Sequence, residues 1–221
     1  MSGLIFWDVD TQVDFMHPSG KLYVPEAEKL IPNLARLTQH ALANGIRIIA
    51  SADDHVPDHP EISSEPDFKE TFPAHCMRGT AGQRKIPETT LDNCLVIEPK
   101  LGDTVALRNV VRSHSGAVLF HKYTFDVFSN PNVEVVLEEL GPSEVVVYGV
   151  ALDVCNKYVI EGILSRYPEI SVYLVIDATK PIEADKVETL LTGWRERGLR
   201  VITTDDALGM QSDSREKTMS L

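Results

Sequence analysis

The chain has 221 residues, of which 43% are hydrophobic and 24% charged, enough apolar material to bury a large core in a single unit. It carries 21 Lys+Arg against 33 Asp+Glu, a formal net charge of −12. That acidity argues against a nucleic-acid or membrane-surface partner, both of which favour a basic face, and it leaves a small neutral substrate open. No apolar run approaches the roughly 18–20 residues needed to span a bilayer. The opening MSGLIFWDVD lacks a basic start and puts Asp8 and Asp10 where a signal peptide needs apolar residues, so the expected location is cytoplasmic. Cys76, Cys94 and Cys155 are too few and too scattered for a disulfide framework, and free thiols are expected.

In chain order, Leu4–Val9 is the first short apolar, β-branched run, the pattern of a buried parallel strand. Glu26–Asn44 follows as a helix, with Leu30, Leu34, Leu37 and Ala41 on one stripe and Gly45 after its end. Ile46–Ser51 is the second strand. The region from Ala52 to about Asn93 has no regular pattern, and loops of that length usually have a function. Cys94–Glu98 is a shorter apolar run, and Val118–His121 is a clearer strand. A helix over Val133–Leu140, a strand over Val145–Val150, and a helix from Val154 to Arg166 come next. Val172–Ile176, a helix over Glu183–Arg197 and a last strand at Leu199–Thr203 complete the pattern, before a polar tail at about 211–221. Alternating strands and helices predict an α/β fold: one domain with a doubly wound, mainly parallel sheet and helices on both faces.

In such a sheet, ligands bind beyond the carboxyl ends of the strands. Asp10 and Gln12 follow the first strand, and Asp53, Asp54 and His55 follow the second. Lys122 follows Val118–His121, and Cys155 opens the helix after Val145–Val150. An acid, a metal-type cluster, a cation and a thiol are thus addressed to one rim. A cysteine at a helix N-terminus feels unpaired N–H groups and the positive end of the dipole, which favour thiolate and would hold an oxyanion. Each residue also has a plainer reading: a packed core thiol for Cys155, a solvated strand-end lysine for Lys122, a loop-capping aspartate for Asp10. Cys94 reads as core, and Cys76 as a packed thiol beside His75. Asp53 and His55 point to the same side of an extended segment, and His75 would close a carboxylate–imidazole set of the kind that holds zinc. His59, Glu61 and Glu65 are further ligand candidates, and a polar surface loop is the alternative.

Taken together, DTQVDF at 10–15, SADDH at 51–55 with PDH at 57–59, FPAHCMRGTAG at 72–82, HKYTFDVF at 121–128 and VVVYGVALDVCNKY at 145–158 carry a resemblance over nearly the whole chain. In order and spacing they resemble the isochorismatase-like cysteine hydrolases, and within them the nicotinamidases. The resemblance implies a catalytic triad of Asp10, Lys122 and Cys155. It places the family's non-proline cis peptide at Val150–Ala151 and its oxyanion hole at the amides of Ala151 and Cys155. It implies one divalent metal, zinc ahead of iron or manganese, held by Asp53, His55 and His75. It puts Phe15, Phe72 and Gln12 at the substrate. It further implies hydrolysis of nicotinamide to nicotinate and ammonia through a thioester, a role in NAD salvage, and a homo-oligomer.

The chain departs from the family pattern at Asp54, where tryptophan is usual, in PEISS after His59, and at Phe72, again for a tryptophan. These departures fall on ring contacts, so another small amide, of the carbamoyl amino acid or maleamate type, is the main alternative substrate. DVDTQ at 8–12 superficially resembles the start of haloacid-dehalogenase-type phosphatases, but Gln12 breaks that motif and Cys155 would have no role. A zinc-stabilised binding domain without catalysis is the remaining alternative, and it predicts an unreactive Cys155.

Overall fold

The computed structural model describes residues 3–211. The polar tail expected at about 211–221 lies, from residue 212, outside the described residues. Seven strands form one sheet: β1 (Leu4–Val9), β2 (Arg47–Asp53), β3 (Cys94–Ile97), β4 (Ala117–Lys122), β5 (Glu144–Val150), β6 (Ser171–Lys180) and β7 (Arg200–Ile202). Their order is β3-β4-β2-β1-β5-β6-β7, and every pairing is parallel. The chain starts at the centre, builds one side through β2–β4, then crosses to build the other. The switch in direction falls between β1 and β5, where an open parallel sheet forms its ligand crevice. The expected α/β fold with a parallel sheet is the one observed.

Alternation along the central strands divides the core. Ile5, Trp7 and Val9 of β1, with Val145 and Val147 of β5, face one layer. Leu4 and Phe6, with Val146, Tyr148 and Val150, face the other. The first layer is covered by α4 (Val133–Leu140), α5 (Cys155–Arg166) and α6 (Val187–Glu196). The second is covered by α2 (Ile31–Ala43), which buries Leu34, Leu37 and Ala41. At about 1.5–3 kcal/mol for each fully buried aliphatic side chain, this two-sided burial fixes the register of the central strands.

Some elements differ from expectation. The helix expected from Glu26 begins as a 3₁₀ turn at Ala27–Leu30, and α2 proper starts at Ile31. Glu26 is left-handed (φ 63°), and Pro32 belongs in a first helical turn, not an interior. The helix from Glu183 likewise opens with a 3₁₀ turn at Ala184–Lys186. Three helices went unpredicted: α1 (Val13–Met16), α3 (Thr104–Ser113) and α7 (Thr204–Leu208). Asp103 caps α3 by accepting from the Val105 and Ala106 N–H groups, a signal present in the sequence. β6 runs on to Lys180 through a register shift against β5.

Two backbone features prepare the rim. Gly149 has φ 109°, and a Cβ there would lie 2.1 Å from the Val9 carbonyl oxygen, so only glycine lets β5 approach β1 so closely. One residue beyond β1, Asp10 turns into the left-handed region (φ 49°), which aspartate tolerates better than most side chains. Its N–H is held by the Ser51 carbonyl at 3.2 Å.

Candidate active site

Four neighbouring strand ends deliver the candidate residues. Lys122 ends β4, Asp53 ends β2, Asp10 follows β1, and Cys155 opens α5 just beyond β5. The Asp53–Lys122 pair is the last rung of the β2–β4 ladder. The Lys122 ammonium lies 2.9 Å from Asp10 Oδ2, donates to Asp53 Oδ1, and reaches Cys155 Sγ at 3.7 Å. Ser51 Oγ donates to Asp10 Oδ1 at 2.7 Å. Asp10, Lys122 and Cys155 are all buried. Burial excludes a solvated Lys122, and the Asp10 carboxylate meets Ser51 and Lys122 side chains in place of the loop N–H groups a cap would hold.

Burial dominates the electrostatics. It raises the Asp10 carboxyl above its ordinary value, with Asp53 adding to the effect, although Lys122 opposes both. Burial would lower Lys122, but Asp10 and Asp53 outweigh it and hold the ammonium well above its ordinary value. Burial also pushes the Cys155 thiol well up, with Asp10 and Asp53 reinforcing it against Lys122. The direction is opposite to the lowering that a helix N-terminus alone would give. The helix N-terminus is where it was expected, yet burial, reinforced by the adjacent Asp10 and Asp53, shifts the thiol up rather than down. The arrangement sets the Cys155 thiol, shifted up, beside an Asp10 carboxylate of raised proton affinity that accepts its hydrogen bond.

The Val150–Ala151 peptide is cis. The neighbouring N–H groups of Leu152, Val154 and Asn156 are spent on Lys180 and Ala151 carbonyls. Among the described residues, those of Ala151 and Cys155 have no such acceptor, and both residues line the same cavity. They are available to a developing oxyanion.

Beside this group lies a second cluster. One ligand atom from each of Asp53, His55 and His75 lies within 4.8 Å of the others, and all three residues are buried. Asp53 joins the two clusters: Oδ1 accepts from Lys122, while Oδ2 lies 3.8 Å from His55 Nε2 and 3.7 Å from His75 Nε2. His75 Nδ1 contacts the Pro73 carbonyl at 2.8 Å, which assigns the proton to Nδ1 and leaves Nε2 as a lone pair. His55 Nδ1 meets His59 Nδ1 at 3.4 Å, and the Val56 N–H also reaches that His59 nitrogen, at 3.3 Å. Glu61 enters the same space, with Oε1 3.8 Å from His75 Nε2, and burial followed by Asp53 pushes its carboxyl up to about 7. His55 Nε2, His75 Nε2 and Glu61 Oε1 are all buried without a hydrogen-bond partner. Three such atoms facing one carboxylate are costly unless a cation satisfies them, so the donor set fits a divalent metal. Of the further ligand candidates, Glu61 joins the set, His59 supports His55, and Glu65 is exposed.

Both clusters open on one cavity of about 410 Å³. Phe15 and Phe72 line it as expected, their rings 5.6 Å and 6.3 Å from that of His75. Phe125, 5.2 Å from Phe72, is a wall residue that sequence reasoning missed. Gln12 requires a correction, because its side chain does not line the cavity. Its Oε1 accepts from the Asp53 N–H at 2.7 Å, and its Nε2 donates to the Asp53 and Gln83 carbonyls at 2.8 Å and 2.6 Å. Gln12 is a clamp on Asp53, not a substrate contact. Asp54, Glu98 and His121 form another carboxylate–imidazole group. There, however, Asp54 is already engaged by Arg78 and Gln83. Cys76 is buried and packed, as expected, whereas Cys94 is only partly buried.

The Isochorismatase domain model matches residues 2–105 and 102–206. The nicotinamidase of Saccharomyces cerevisiae is 27% identical over 200 residues, covering 80% of this chain and 88% of that protein. The nicotinamidase/pyrazinamidase of Mycobacterium tuberculosis is 24% identical over 196 residues, covering 88% and 95%. Among solved structures, the pyrazinamidase of Pyrococcus horikoshii in complex with zinc shares the fold with a TM-score of 0.69 at 23% identity, over 91% of this chain and 99% of that one. The N-carbamoylsarcosine amidase of Thermoplasma acidophilum does so with a TM-score of 0.68 at 22% identity, over 93% and 98%. No helix among the described residues is long and apolar enough to cross a membrane. The chain belongs to the isochorismatase family, as an enzyme that hydrolyses amide bonds.

Proposed function

We propose that the protein is a metal-containing nicotinamidase in which Cys155 is the nucleophile. The observation that carries this reading is the shared carboxylate of Asp53. One oxygen holds Lys122 of the proposed triad and the other faces His55 and His75, so an amide and a ring nitrogen are served from one cavity. Cys155 gives its proton to Asp10, and the sulfur attacks the carboxamide carbon. The N–H groups of Ala151 and Cys155, with Lys122 nearby, hold the oxyanion. Asp10 returns the proton to the departing ammonia, leaving an acyl thioester on Cys155. Asp10 then takes a proton from water, whose oxygen attacks the thioester carbon. The acid leaves and Cys155 regains its proton.

Asp53, His55, His75 and Glu61 would hold the divalent metal, zinc by the mixed carboxylate–imidazole chemistry of the set. Bound there, it would offer a Lewis-acid site to a pyridine nitrogen, while Phe15 and Phe72 flank the ring. The comparisons with nicotinamidases from yeast and bacteria support this substrate. The carbamoylsarcosine amidase likeness supports the alternative of a non-aromatic amide only at the level of fold. Ammonia release from nicotinamide and pyrazinamide, set against N-carbamoyl amino acids, decides between them. The proposal expects the aromatic amides to be preferred and one equivalent of divalent metal per chain. Preference for the carbamoyl compounds would overturn it.

A further inference from the structure

The cavity is lined mainly by apolar side chains, with its reactive groups gathered at one end. Asp53, His75 and Cys155 lie at the reacting end, while Phe68 and Ile182 line the other part of the same space. These two are among the few large apolar side chains left exposed, at 63% and 50%. They come from separate elements, the long loop after β2 and the connection from β6 to α6. Phe68 is also held in an unusual backbone state, with φ 56°, which is a genuine outlier for a bulky side chain.

The surrounding turn over-determines that state. The Asp67 carboxylate accepts from the N–H groups of Lys69, Glu70 and Thr71 at 2.9–3.0 Å. The Phe68 N–H is held by the Thr71 carbonyl at 3.0 Å. The Phe68 ring meets Phe72 edge-on at 6.2 Å, and Phe72 meets His75 at 6.3 Å. An aromatic wall thus runs from the mouth to the proposed metal ligands. Lys69 and Glu183 also line this space, and the Glu183 carboxylate is already paired with Lys186. Strain kept at an exposed phenylalanine, where burial offers no compensation, points to a use for the ring.

We infer that Phe68 and Ile182 form an outer apolar subsite that selects ring carboxamides bearing an uncharged hydrocarbon substituent away from the amide. This rests on the nicotinamidase reading of the inner site and adds a specificity-determining pair to it. The cavity volume of about 410 Å³ lies within the roughly 300–1,000 Å³ of sites that take ligands larger than one ring. On the nicotinamidase reading, a carboxamide held at Cys155 with its ring nitrogen toward His75 leaves Phe68 and Ile182 to a further substituent.

The test compares kcat and KM for nicotinamide and for nicotinamides carrying ring alkyl groups of growing length. Both are measured in the metal-loaded wild type and in the Phe68→Ala, Phe68→Leu and Ile182→Ala variants. The wild type is expected to accept the alkylated amides at a lower KM than nicotinamide. Phe68→Ala is expected to shift the kcat/KM ratio about tenfold toward nicotinamide, through KM, as expected for lost contacts in an apolar pocket. Ile182→Ala shifts it the same way, and Phe68→Leu restores most of the preference. Nicotinamide turnover with a ratio unmoved by either alanine variant overturns the subsite alone, as does rejection of the alkylated series by the wild type. Absence of turnover for every ring amide overturns the subsite together with the inner reading.

Discussion

The rim of the sheet and the loop from 54 to 93 both feed the same cavity, but they are held in different ways. Asp10, Asp53, Lys122 and Cys155 are placed by a ladder of parallel strands, each at or just past a strand end. His55, Glu61, Phe72 and His75 lie on a chain with little regular structure, fixed by isolated bridges at His55–Met77 and Ile62–Phe72. Buried polar side chains do the rest. Asp14 takes the Cys76 N–H at 2.7 Å, and Gln12 clamps Asp53. The contrast teaches a division of labour. A continuous strand ladder places the reacting groups, whereas isolated backbone bridges and buried side-chain hydrogen bonds together fix the groups proposed to bind metal and ring.

That division orders the expected effects of mutation. Cys155→Ala strikes the rim and removes the proposed nucleophile, so steady-state ammonia release should fall by about 10⁴-fold or more, while bound metal is retained. Activity near the wild-type level would break the comparison at its strongest point. Removing the metal with a chelator, or substituting His75→Ala, strikes the loop. Nicotinamide kcat/KM is expected to fall about 100-fold from lost orientation, while the far-UV spectrum holds. Unchanged kcat and KM after metal removal would mean that the loop cluster does not orient the ring. Gln12→Ala acts at the junction of the two regions. Metal affinity should weaken about tenfold, as is typical when a group orienting a ligand is lost, and zinc competition against a chromophoric chelator measures it.

The smallest effect is a matter of pH. Glu26 accepts from Lys29 and Lys180, and these partners lower its carboxyl to about 2. A depressed carboxyl stabilises the fold above its unfolded value and loses that contribution as pH falls through the folded one. The tie between Glu26 and the end of β6 should therefore hold at neutral pH and fade between about pH 4.5 and 2. Thermal melts of Glu26→Gln against wild type should differ slightly at pH 7 and converge toward pH 2.

The rim was legible in the sequence because apolar runs mark strands and the residue after each run marks the carboxyl end. That logic brought Asp10, Lys122 and Cys155 to one address before any contact was visible. It failed for Gln12, since position along the chain does not tell whether a side chain faces the cavity or folds back on a neighbouring backbone. Cys155 shows a second limit. Its helix N-terminus was readable, but the upward shift of its thiol comes from burial and then from the nearness of Asp10 and Asp53, which only the folded sheet establishes. The loop was legible as chemistry through its histidines and aspartates, not as structure. Glu61 was one spare carboxylate among several until the Ile62–Phe72 bridge carried it to His75. Phe68 carried no pattern, because an exposed phenylalanine in an irregular segment has no periodicity to read, and Phe125 lay inside the HKYTFDVF block with nothing to show that its half-buried ring faces the cavity.

The central claim is covalent chemistry at Cys155, and acid-quenched intact mass analysis during nicotinamide turnover tests it most directly. A transient nicotinoyl adduct is expected, mapped by peptide digestion to Cys155, lost with hydroxylamine and absent from Cys155→Ala. Ammonia release by Cys155→Ala at the wild-type rate, with no adduct on the wild-type enzyme at any time, would contradict it.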